Sequence, residues 1–155
     1  MQAGEMKPLI QRIEFDDYAD EICELNRKRF IGRTPAVDDW FWIAHVDGYC
    51  VAFASMRESS SWCDAVYMSL CVVREHFSGM GLQRRLLRAR IRFAKAKGYS
   101  WAVTDTTDNP ASANNLIRCG FNTFMPSHPW AYERTIYWKK WIGPTDVARK
   151  RRKGR

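Results

Sequence analysis

Ser69-Leu70-Cys71-Val72-Val73-Arg74-Glu75-His76-Phe77-Ser78-Gly79-Met80-Gly81-Leu82 is the stretch whose reading decides the fold. It ends a long apolar run, Ala65 to Val73, too rich in β-branched and aromatic residues to favour helix, which predicts a buried strand. Beyond it the hydrophobic period changes from two to 3.6. Leu82, Leu86, Ala89, Phe93 and Ala96 form one stripe, with Leu87, Ile91 and Ala94 beside it, and predict a helix that stops at Gly98. Between strand and helix stand two glycines two apart, which let the main chain approach a ligand closely. The helix start then offers unpaired N–H donors and the positive end of its dipole. An anion there gains roughly 0.3–1 kcal/mol from the dipole alone, and convergent N–H bonds add to it. A diphosphate suits such a place, although Gly79 and Gly81 by themselves are also what a tight turn uses. The spacing is neither a Rossmann fingerprint, which needs a third glycine and a later acid, nor a P-loop, which ends in Gly-Lys-Ser/Thr.

Working outward, Pro8 to Phe15 reads as a first strand. Asp16 or Asp17 is placed to cap a helix carrying Tyr18, Ile22 and Leu25 on one side, which ends at Arg27-Lys28-Arg29 and is broken by Gly32 and Pro35. Trp40–Val46 and Tyr49–Met56 are two β-rich runs joined by Asp47-Gly48, a strong hairpin signal. Trp101–Thr106 is a further strand. Asn109-Pro110 opens a short helix that Gly120 closes, and Phe121–Met125 and Tyr132–Trp141 read as two final strands. The predicted order is β-α-β-β-β-α-β-α-β-β, an α/β (α+β) fold with a mixed, mostly antiparallel sheet flanked by helices.

Here the chain resembles the GNAT superfamily of acyl-CoA-dependent N-acyltransferases. The family's phosphate loop, Gln/Arg-x-x-Gly-x-Gly/Ala, is matched by His76-x-x-Gly79-x-Gly81, and the Leu86-Leu87 pair after it also fits. The family's second motif, Asn-x-x-Ala/Ser-x-x-x-Tyr-x-x-x-Gly-Phe, is matched by Asn109, Ser112, Gly120 and Phe121. The likeness covers roughly residues 8 to 142. It implies that Leu70, Cys71, Val72 and Val73 form a strand edge that splays from its neighbour and pairs with the pantetheine arm of acetyl-CoA. Amides around Cys71 would then bind the acyl carbonyl, the kind of preorganised stabilisation that dominates acyl transfer. The backbone of Phe77, Ser78, Gly79, Met80, Gly81 and Leu82 would hold the diphosphate, with Arg84 or Arg85 reaching a phosphate and Asn109 bonding the cofactor arm. Two positions depart from the pattern. His76 stands for the usual Gln/Arg, and Leu116 stands where many members carry the Tyr that protonates the departing thiolate.

The resemblance implies acetyl transfer to a primary amine by direct attack in a ternary complex. An amine has a pKa near 10 and must lose a proton before attack. Tyr67, Asp105 and Glu58 are the candidate catalytic groups. Tyr67 is read first as an aromatic packed on the sheet, and Asp105, among Thr104, Thr106 and Thr107, equally as a turn cap. Trp130 and Tyr132, in or beside the loop Pro126–Tyr132, are candidates for the acceptor pocket. His45, His76 and His128 are too scattered for a metal site, and neither a nucleophile elbow nor a Cys/His pair is evident.

Hydrophobic residues make up 46% and aromatics 14%, enough for one domain with a core of its own, here residues 1–143. The net charge of +8 is concentrated in the last seven residues, which hold six Lys/Arg, so about +2 remains for the rest. Residues 144–155 read as a basic, disordered tail able to touch nucleic acid by salt-sensitive phosphate attraction. The helix after the glycines adds a run of cations read as a solvated face. Cys23, Cys50, Cys63, Cys71 and Cys119, an odd number without paired spacing, read as reduced and mostly buried residues of a cytoplasmic protein. No signal segment and no membrane-spanning run is expected, and the protein is expected to be a monomer or homodimer. The competing functions are a non-catalytic CoA-binding or nucleic-acid-associated module on the same fold, and an acyltransferase acting on a nucleic-acid-linked amine.

Overall fold

The computed structural model describes residues 7–29 and 34–144; the basic tail predicted for 144–155 lies, apart from its first residue, outside the described residues. The elements are β1 (Leu9–Ile13), α1 (Ala19–Arg29), β2 (Trp40–Val46), β3 (Tyr49–Glu58), β4 (Ala65–Val73), α2 (Leu82–Ala96), β5 (Trp101–Thr107), α3 (Pro110–Arg118), β6 (Asn122–Phe124) and β7 (Thr135–Trp141), with short 3₁₀ turns at Phe15–Tyr18 and Glu75–Phe77. This is the predicted order. The strands form one seven-stranded sheet, β1-β2-β3-β4-β5-β7-β6. The β1–β2, β2–β3, β5–β7 and β6–β7 pairs are antiparallel, and β4 runs parallel to β5. That parallel ladder joins Ala65–Tyr67 to Trp101–Val103, and β4 continues past its last pair.

The chain divides into two compact units, the first comprising residues up to Arg57 with Met68–Arg90, the second Glu58–Tyr67 with the residues from Ile91 onward. In the first, β1, β2, β3 and α1 bury Ile13, Ile22, Leu25, Phe41, Ile43 and Phe53 against Leu70 and Val72 of β4. Phe15 closes this core, its ring 5.1 Å from that of Phe41. A buried Phe or Leu contributes roughly 1.5–3 kcal/mol by leaving water, so the side chains of Leu70 and Val72 add to what the sheet pairing gives β4.

In the second unit, Trp101 stacks on Trp62 and meets Trp141 edge-on, both at 5.1 Å between ring centres, and the Lys139 ammonium lies over Trp62, Trp101 and Phe124. The Asn109 side chain caps α3, accepting from the Ser112 amide at 3.1 Å, with Pro110 in the first helical position where its missing N–H costs nothing. At the other end Gly120 takes φ +85°, which lets the Phe121 amide return to Leu116 O at 3.0 Å. The Lys140 ammonium covers the Cys119 carbonyl at 2.7 Å, where it complements the negative end of the helix.

Several expectations are corrected. Neither Asp16 nor Asp17 caps a helix, because Phe15–Tyr18 forms a 3₁₀ turn that runs directly into α1. The last strand begins at Thr135, leaving Tyr132 in the preceding loop and 83% exposed. On α2 the buried residues are Leu82, Leu86, Leu87, Arg90, Ile91 and Ala94, whereas Ala96 is exposed where the last turn emerges. Arg90, expected in water, is inside. Of the five cysteines, all free, only Cys50 is buried and Cys63 is exposed.

Gly120→Ala should lower stability by about 1–2 kcal/mol, the cost of a left-handed backbone for a residue with Cβ, and that Cβ would meet Lys140 Nζ at 2.7 Å. For a chain of this size the expected loss is a drop of roughly 2–8 °C in Tm, measured by thermal unfolding.

Candidate active site

Along the second half of β4 the side chains of Leu70 and Val72 turn into the core, while Cys71 and Val73 are half-buried. Of these four predicted cofactor residues, Leu70 and Val72 commit their side chains to the core, and the Leu70 amide is spent on Ser55 Oγ at 3.2 Å. Arg74 pins the end of the strand: its amide donates to Val51 O at 2.8 Å, its Nε to Cys50 O at 3.0 Å, and its guanidinium lies 3.5 Å from Glu24.

The chain then makes its 3₁₀ turn, in which the Phe77 and Ser78 amides are spent on Arg74 O and Glu75 O. Those two amides, expected on the diphosphate, are thus already used. The amides from Gly79 to Leu82 lie after this turn and before the first helical bond of α2, Arg85 N–H to Gly81 O at 3.1 Å. Gly79 and Gly81 hold φ +83° and +74°, left-handed conformations that L side chains rarely adopt. Ser78, Gly79 and Met80 are exposed, as is the side chain of His76. The first turn of α2 carries no acid, and the Arg84 guanidinium lies 3.7 Å from where a Gly81 Cβ would stand. Exposed amides, a helix dipole and a cation without a competing carboxylate fit a diphosphate. Arg85, the alternative, gives its guanidinium to Pro8 O at 3.0 Å.

In the second unit two predicted residues converge on the carboxylate of a third. Tyr67 donates its hydroxyl to Asp105 Oδ2 at 2.6 Å, and the Trp130 indole N–H donates to the same oxygen at 2.9 Å. The Trp130 ring meets Tyr67 edge-on at 6.4 Å and Tyr137 at 4.6 Å, while the Tyr137 hydroxyl accepts the Ala131 amide at 3.0 Å and so fixes the loop. Asp105 thus binds two donors and is not a turn cap. Tyr132 takes no part, its position being exposed. Glu58, at the end of β3, is exposed too. Asn109 spends its Oδ1 on the α3 cap, so toward a ligand it offers its amide NH₂. Leu116, at the position of the family's proton donor, is buried.

Residues 7–121 match the family model described as the acetyltransferase (GNAT) family. The chain belongs to the GNAT acetyltransferase family. Solved structures agree on the fold. The ribosomal-protein-S18-alanine N-acetyltransferase of Escherichia coli is 16% identical, with a TM-score of 0.70 over 90% of this chain and 96% of that one. An N-acetyltransferase of Staphylococcus aureus Mu50 is 17% identical, with a TM-score of 0.69 over 88% and 99%. An acetyltransferase of Salmonella typhimurium, solved with its cofactor acetyl-CoA, is 19% identical, with a TM-score of 0.70 over 90% and 96%. No curated protein sequence matches the chain. Among the described residues, no helix is long and apolar enough to cross a membrane.

Within this GNAT chain, sequence reasoning missed a polar cluster beside β4. Asp39, its side chain 4% exposed, pairs with the Arg57 guanidinium at 3.1 Å and accepts the Ser69 hydroxyl at 3.0 Å. Ser69 and Ser55 hydroxyls lie 2.7 Å apart, and Ser55 Oγ accepts the Leu70 amide at 3.2 Å. Arg90 reaches the same place, donating to Ser55 O at 3.1 Å and to Leu86 O at 3.3 Å. The available signal was the interruption of two apolar β runs by serine.

Asp105→Ala should cost about 1–3 kcal/mol, because two donors lose their acceptor, while Tyr132→Ala should stay within about 0.5 kcal/mol. Urea unfolding followed by tryptophan fluorescence measures both.

Proposed function

We propose that the protein transfers an acetyl group from acetyl-CoA to a primary amine by direct attack of the nitrogen. The observation that carries this is the pair of left-handed glycines opening onto the acid-free first turn of α2, next in the chain to a strand anchored by Leu70, Val72 and Arg74. Acetyl-CoA would supply the activated thioester. The amides from Gly79 to Leu82, with Arg84, would hold its diphosphate. The main chain of Leu70–Val73 would run along the pantetheine, with an amide near Cys71 facing the acyl oxygen.

Burial pushes the Cys71 thiol above its ordinary range, with the Arg90 cation opposing the shift. A protonated thiol is a poor nucleophile, which supports direct attack over an acyl-cysteine. With Leu116 in place of the family's tyrosine, the departing sulfur takes its proton from water, an acceptable route for a thiol of pKa near 8.5. Asp105, braced by Tyr67 and Trp130, would attract the acceptor's ammonium, and its role is binding.

The acceptor class extends from small amines to a protein amine, the class named for the similar Escherichia coli enzyme. A phosphate-bearing acceptor is supported by the exposed cations Arg88, Arg92 and Lys95 on α2.

Isothermal titration should show acetyl-CoA binding at micromolar concentration. Gly81→Val, forced into a left-handed backbone, should weaken it by at least about tenfold, or ~1.4 kcal/mol. Unchanged affinity in a folded Gly81→Val protein would refute the cradle.

A further inference from the structure

The directions of the hydrogen bonds around Ser69 can be worked out. An ionised carboxylate only accepts, so the Ser69 proton points to Asp39 Oδ2. The 2.7 Å contact between the two serines must then use the proton of Ser55, and Ser55 Oγ in turn accepts the Leu70 amide. The chain therefore runs one way, from Leu70 N–H through Ser55 and Ser69 to Asp39. Ser69 Oγ has donated one proton and accepted one bond, and it keeps one lone pair. Its residue is half-buried, not buried, and it directly precedes the Leu70–Val73 stretch assigned to the acyl end of the cofactor.

We propose that Ser69 takes the proton of the attacking amine and passes its own to Asp39, making the pair the base of the reaction. This rests on the acetyl-transfer reading above. The ammonium first gives one proton to water; as the resulting neutral nitrogen bonds to the acyl carbon, it loses a second proton to Ser69 Oγ, the Ser69 proton moves to Asp39 Oδ2, and the carbon–sulfur bond breaks with its electron pair on sulfur. Charge balances, since one carboxylate is neutralised and one thiolate released. Ser69 is the group that touches the acceptor; Asp39 acts through it as a positioning residue and proton store.

The groups facing Asp39 are Arg57 from β3, Ser69 from β4 and neighbouring Asp38. Burial raises the Asp39 carboxyl above the ordinary aspartate range, against the pull of Arg57 and Ser69. A raised acid loses its basic form as pH falls through that higher value. The acid limb of kcat/KM should therefore sit above the usual aspartate value of about 3.9.

The test measures thiol release from acetyl-CoA, with water alone and with spermidine or a lysine-bearing peptide, from about pH 4, near the ordinary aspartate value, to about pH 9. Asp39→Asn and Ser69→Ala should each lose about 10²-fold or more in kcat, keep acetyl-CoA affinity by titration calorimetry, and lose the acid limb; Ser69→Thr should restore both. Independently of turnover, the ¹³C carboxyl resonance of Asp39 should titrate above the ordinary range and shift in Ser69→Ala. Full activity in both variants, or an Asp39 resonance indifferent to Ser69→Ala, would overturn the base and leave acetyl transfer standing. A wild-type protein that releases no thiol above the protein-free rate would overturn both.

Discussion

A strand that offers its amides to a ligand cannot spend all of them on neighbouring strands, and it must still be held in place. β4 is held by hydrogen bonding to its neighbours in the sheet and by side chains: Leu70 and Val72 enter the apolar core with Phe41 and Phe53. Polar contacts add to this. The Leu70 amide goes to the Ser55 hydroxyl, and Arg74 ties the strand's end to the carbonyl of Cys50.

The same constraint explains a guanidinium inside α2. Burying a charge is expensive unless its hydrogen bonds are made. Arg90 makes them with the carbonyls of Leu86 and Ser55, so it bridges the helix that begins at the glycine loop to β3. Burial presses its pKa down, but a guanidinium stays protonated in proteins. Its positive charge then acts on Cys71, within the stretch whose amides would face a developing oxyanion.

The element order was legible because each signal was local. Asp47-Gly48 closes a hairpin, the period changes at Gly79 and Gly81, and Asn109-Pro110 opens a helix whose cap was readable from residue type alone. The convergence of Asp105, Tyr67 and Trp130 was readable only as three separate candidates. They lie 25 and 38 positions apart in the chain, and no periodicity specifies such distances. Asp39 and Ser69 were invisible for a related reason. An aspartate before a strand reads as loop, a serine within one as a tolerated polar residue, and only the β2–β3–β4 packing turns them into partners.

The phase of α2 shows a further limit. A stripe drawn through Ala96 and one drawn through Ile91 and Ala94 are both apolar, and hydrophobic period alone weights them equally. Burial separates them because the helix emerges at its last turn, leaving Ala96 in water, while Arg90 goes under. An arginine with a long aliphatic stem can occupy an apolar face when carbonyls await its head. Ser55 supplies one through its main chain and, through its side chain, also takes the Leu70 amide. One serine thereby meets both Arg90 of α2 and the Leu70 amide of β4.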